Sequence, residues 1–94
     1  MRKTRIDFDI PLVFMKEGKA FVAFSPALDL YEHGDSYKDV LDAFRRKLTI
    51  FLSELVKMGT LEKVLFDCGW TKIKNRLIPP QIIDRKIESV HLAV

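Results

Sequence analysis

The densest group of side chains able to do chemistry is Asp29, Glu32, His33 and Asp35, four ionisable residues within seven positions. Carboxylates that converge on a divalent ion can activate water for phosphodiester cleavage, so an RNase-like role for Asp29 and Asp35 is one reading. The other reading is structural. Acids at a strand end and a turn cap helices or face water, and Asp35 suits the positive end of a helix. The structural reading is the stronger, because no nucleophile–base pair accompanies the acids. Ser25 and Ser36 have no base close in sequence. His91 sits among apolar residues of an alternating run, as strand histidines commonly do. Cys68, the only cysteine, reads as a small apolar core residue. Gly18, Gly34, Gly59 and Gly69 are too far apart for a phosphate-binding loop. The expectation is a chain with no catalytic residue, no cofactor-binding residue, no metal ligand and no cofactor.

Charge is the next candidate. The 94 residues carry a formal net charge of +3. The basic residues fall in short groups: Arg2, Lys3 and Arg5; Arg45, Arg46 and Lys47; Lys72, Lys74 and Arg76; Arg85 and Lys86. Contact with RNA or DNA would need these groups to merge into one face with aromatic residues between them. On a helix, Arg45, Arg46 and Lys47 point in different directions, so a solvated surface explains them better. Nucleic-acid binding stays as the alternative function.

The elements that would hold these residues follow from periodicity. Ile6, Phe8, Ile10, Leu12 and Phe14 alternate with other residues, which predicts a strand with one buried face. Pro11 lacks an N–H and predicts an edge or a bulge there. Lys16-Glu17-Gly18-Lys19 predicts a hairpin connection. Ala20 to Phe24 predicts a central strand, and Ala27 to Glu32 a third, with Leu28 and Leu30 on one face. Short connections between them predict an antiparallel meander.

Next comes Gly34-Asp35-Ser36. Ser36 can cap the N–H of Asp39, and Asp39 can reach back to the N–H of Ser36. A helix follows from about Tyr37 to Met58. Its apolar stripe is Tyr37, Val40, Leu41, Phe44, Leu48, Phe51, Leu52 and Leu55. Gly59 can end it in the left-handed region. Thr60 can cap a second, shorter helix reaching about Phe66. Trp70 to Ile78 permits a strand or an irregular hairpin, and Pro79-Pro80 an extended turn. Ile87 to Val94 alternates again and predicts a final strand, with Val90, Leu92 and Val94 on one side.

The fold class expected is therefore α+β: a three-stranded antiparallel meander packed on one long amphipathic helix, with a short second helix and a C-terminal strand. Residues 1–94 form a single domain, because a chain this short supports one core. Asp7 and Asp9 interrupt any apolar run after the basic start, and no window reaches membrane-span length. One cysteine allows no intrachain disulfide. A soluble cytoplasmic protein is the expectation.

Phe21-Val22-Ala23-Phe24-Ser25-Pro26, Leu28, His33-Gly34-Asp35-Ser36 and Asp39-Val40-Leu41 together resemble the HicB-like family of antitoxin-type domains. That family has an aromatic-rich strand ending near a proline, a Gly-Asp-Ser or Gly-Asp-Thr cap, and an acidic–small–apolar step into a helix. The resemblance covers about residues 6–58. It implies a noncatalytic protein-binding domain of a toxin–antitoxin system. The implied partner is a small HicA-like toxin of the RNase type, whose active surface the antitoxin covers. It also implies self-assembly through sheets, hence a homo-oligomer. Many family members carry an added DNA-binding module, whereas the residues after Met58 read as a short helix and extended segments. The net basic charge departs from the acidic character expected of a basic toxin's partner. Both features point to a stand-alone HicB-like domain.

Overall fold

The structure is a computed structural model that describes residues 7–94. Ile6 and the basic group Arg2, Lys3 and Arg5 lie outside the described residues. Three strands, β1 (Val13–Glu17), β2 (Ala20–Ser25) and β3 (Leu30–Gly34), form an antiparallel sheet in the order β1-β2-β3. Helix α1 (Tyr37–Met58) lies over β2 and β3, and α2 (Leu61–Asp67) packs against α1. A separate antiparallel hairpin, β4 (Thr71–Ile73) and β5 (Arg76–Ile78), follows. The fold class is α+β, as expected from the pattern.

The first strand starts later than the alternation suggests. Residues 7–12 carry no ladder, although Phe8 and Ile10 still pack inward. The register gives the reason. Val13 pairs with Phe24, so the next steps would oppose Leu12 to Ser25 and Pro11 to Pro26. Two facing prolines offer no N–H to a ladder. The third strand is also displaced. Ser25 to Asp29 make a tight turn instead, in which the Ser25 carbonyl accepts from the N–H groups of Leu28 (3.3 Å) and Asp29 (2.8 Å). Asp29 closes it at φ 55°, a left-handed conformation that Asp tolerates. Leu28 is thereby buried from a turn rather than from a strand.

Helix α1 has the bounds its periodicity predicts. Ser36 is extended (φ −149°, ψ 165°), and its Oγ accepts from the Asp39 N–H at 3.1 Å. Gly59 ends the helix at φ 70°, and its N–H returns to the Val56 carbonyl. Val40, Phe44 and Leu55 are buried, and Leu41, Leu48, Phe51 and Leu52 half-buried. Tyr37 is the exception: it is 52% exposed and leans on Phe14 with ring centroids 4.8 Å apart.

The core has two centres. Ala23, Val40 and Phe44 join sheet to helix, with Leu12, Phe14 and Phe21 around them. Ala27, Leu28, Leu65 and Trp70 form the second, which ties the β2–β3 turn to α2. There the buried Trp70 Nε1 donates to the Ala27 carbonyl at 2.8 Å, and Phe8 meets the Trp70 ring edge-on at 5.9 Å. Leu48 touches both centres and joins them.

Two further expectations are corrected. Thr60 does not cap α2 with its side chain. Its ψ of 8° leaves the extended geometry that Ser36 uses, so its hydroxyl is not aimed at the first N–H groups of α2. Its carbonyl accepts from Val64 instead. Ile87 to Val94 forms no strand. The C-terminal strands are β4 and β5, joined through Lys74 (φ 49°) and Asn75 (φ 64°). Two consecutive positive φ values are the signature of a tight two-residue hairpin turn.

Candidate functional site

The acids considered for catalysis do not converge. Asp29 stands exposed in its turn, and the Glu32 carboxylate accepts from the next residue's own N–H, that of His33, at 3.0 Å. Asp35 shares an open concavity with His33, Asp39, Asp42 and Arg46. Among the described residues no group of three or more His, Cys, Asp or Glu side chains is arranged to hold a metal ion. Asp39, at the first turn of α1, is well placed against the helix dipole. Lys38 donates to Asp42 at 3.0 Å, which lowers the Asp42 pKa and raises that of Lys38.

The other candidates are equally dispersed. Cys68 is half-buried against the second core centre. His91 is exposed and lies in no strand. The Ser25 hydroxyl is buried without a hydrogen-bond partner. Ser36 serves the helix cap.

The basic groups divide among separate acids and a carbonyl. Lys47 Nζ donates to the Tyr31 carbonyl at 2.6 Å. Arg45 lies 3.9 Å from Asp42, while Arg46 borders the concavity near Asp35. Lys72 Nζ sits 2.7 Å from Glu62. Lys74 and Arg76 are carried by the β4–β5 hairpin, apart from the α1 group. Among the described residues no helix is long and apolar enough to cross a membrane.

What the fold does assemble is an apolar sheet face. Side chains alternate across a strand, so Phe14, Phe21 and Ala23 point to α1 and their neighbours point away. The register sets those neighbours in rows: Val13–Phe24–Tyr31, then Met15–Val22–His33. The Phe24 and Tyr31 rings stack at 4.5 Å with an interplanar angle of 25°. Met15 and Tyr31 are each about half exposed, and Val22 beneath them is buried. None of these residues belongs to either core centre. The face is a connected aromatic and aliphatic patch on the side of the sheet turned away from α1. Aromatic residues and Met are the types that anchor protein interfaces. The sequence alternation carries this face too, but only the register between strands sets which residues share it.

No protein-family model matches this chain, no curated protein matches it, and no solved structure matches it.

Proposed function

We propose that this chain is a noncatalytic protein-binding domain of the HicB-like antitoxin type, which sequesters a small HicA-like, RNase-type toxin. The observation that carries the reading is the junction of β3 and α1. At Gly34 a Cβ would stand 2.7 Å from the Val40 nitrogen, so only glycine lets the strand pass this close to the helix. Two residues on, Ser36 caps the helix. The Gly-Asp-Ser sequence on which the resemblance rests thus answers to a packing need at the end of a three-stranded meander. The Met15, Phe24 and Tyr31 face supplies the surface on which a protein partner would rest.

The net charge of +3 offers a basic partner no long-range attraction. Association then comes from apolar contact and is insensitive to salt. The test is titration of the purified chain with the product of the neighbouring reading frame, with ribonuclease activity as a second readout. A complex at micromolar concentration, unchanged by salt and weakened about tenfold or more by Tyr31→Asp, supports the reading. No association contradicts it. Binding to RNA or DNA that collapses steeply as salt rises would favour the nucleic-acid alternative.

A further inference from the structure

Residues 79–94 leave β5 without entering any helix or strand. The first part of this arm, Gln81–Arg85, borders a concavity with Pro11 and Leu12 at the foot of β1. Beyond it the chain runs outward. The longest extent of the molecule is 63 Å and the Cα radius of gyration 16.4 Å, against about 12 Å for a compact chain of this length. Ile87 is 95% exposed and Leu92 81%, with Val90 and Val94 similarly bare. Val90, Leu92 and Val94 share one side of an extended chain, and Ser89, His91 and Ala93 the other. That is the pattern of a strand with one apolar and one polar face, and among the described residues none covers it.

The sheet has one edge suited to such a strand. At the β3 edge, Lys47 donates to the Tyr31 carbonyl, and α1 packs alongside. Among the described residues β1 pairs with β2 alone, so its far side keeps free N–H and C=O groups. Next to that edge, Phe14 and the half-exposed Tyr37 form an incomplete apolar margin on the helix side.

We propose that the arm of one chain adds to the β1 edge of a second copy, and that the exchange is reciprocal. Residues 89–94 span about 20 Å when extended, enough to match the five residues of β1. Val90, Leu92 and Val94 then lie beside Phe14 and Tyr37, and His91 faces water. In its own chain the arm joins no strand and Val90, Leu92 and Val94 stay bare, so the acceptor is the other chain's β1, and reciprocal exchange closes a two-fold dimer. The inference stands apart from the toxin-binding reading, which uses the opposite sheet face.

Sedimentation velocity on three proteins tests it: the whole chain, a chain ending at Ile83, and the Val90→Asp/Leu92→Asp double variant. The whole chain is expected to be a dimer and the shortened chain a monomer. The double variant is expected to weaken dimerisation by about a hundredfold or more. It leaves the body untouched, so it decides the matter even if the shortened chain fails to fold. A second arm mixes Tyr37→Cys chains with Leu92→Cys chains, both also carrying Cys68→Ser, and looks for a disulfide joining the two. A monomeric whole chain, or a dimer indifferent to both changes, overturns the proposal. An arm-dependent dimer that never forms the mixed disulfide overturns the assignment to the β1 edge.

Discussion

Ser36 makes one hydrogen bond to the N–H of Asp39, and with it the start of a 22-residue helix is set. Ser36→Ala is expected to lower stability by about 1 kcal/mol in urea denaturation. Trp70 acts over a longer range. Its indole N–H reaches Ala27, 43 positions earlier, in a buried setting. Trp70→Phe leaves that carbonyl without a donor and is expected to cost about 1–3 kcal/mol by the same measurement. The contrast explains what was legible. A cap spans three residues and can be read locally. The Trp70–Ala27 bond and the turned-away Thr60 hydroxyl depend on how distant segments meet, and no spacing announces them. The Lys38–Asp42 pair gives a pH signature. Asp42 has its pKa lowered below the ordinary 3.8 by the Lys38 hydrogen bond, so its stabilising effect is present above that value. It is lost as the pH falls through the folded-state pKa. Melting curves of the native chain and Asp42→Asn should therefore converge in strong acid. They should differ only slightly at neutral pH, since both groups face solvent and salt screens them.

Helix α1 was legible because its stripe, cap and terminal glycine agree. Strand edges were less so, since a ladder needs a partner as well as an alternating pattern. Phe8 and Ile10 alternate and pack inward, yet prolines at positions 11 and 26 end the pairing at Val13. Leu28 looked like a strand residue and is buried from the Ser25–Asp29 turn. The apolar Met15, Phe24 and Tyr31 face was present in the same alternation and becomes visible only once register fixes which side α1 covers. The β3–α1 junction yields the sharpest prediction at this scale. Gly34→Ala forces a Cβ against the Val40 backbone, at 2.7 Å from its nitrogen, and backbone cannot swing aside as a side-chain tip can. A loss of about 1–3 kcal/mol is expected from thermal or urea unfolding.

On the scale of the whole molecule, two core centres joined through Leu48 make one body, with an outer sheet face and an extended arm left over. Phe44, fully buried where sheet meets helix, should cost about 3–5 kcal/mol when cut to Ala. For so small a domain that is enough to unfold it at modest temperature. Tyr31→Asp, by contrast, removes a half-exposed ring stacked on Phe24 and should cost the fold only about 1 kcal/mol while weakening partner binding. This separation of folding from binding is what a domain that works as a docking surface requires. The central claim is most directly tested by isothermal titration of the purified chain with the product of the adjacent reading frame, run in parallel on Tyr31→Asp. Saturable micromolar or tighter binding, insensitive to salt and weakened by the substitution, is the result predicted. Absence of heat and of any complex across that concentration range would contradict it.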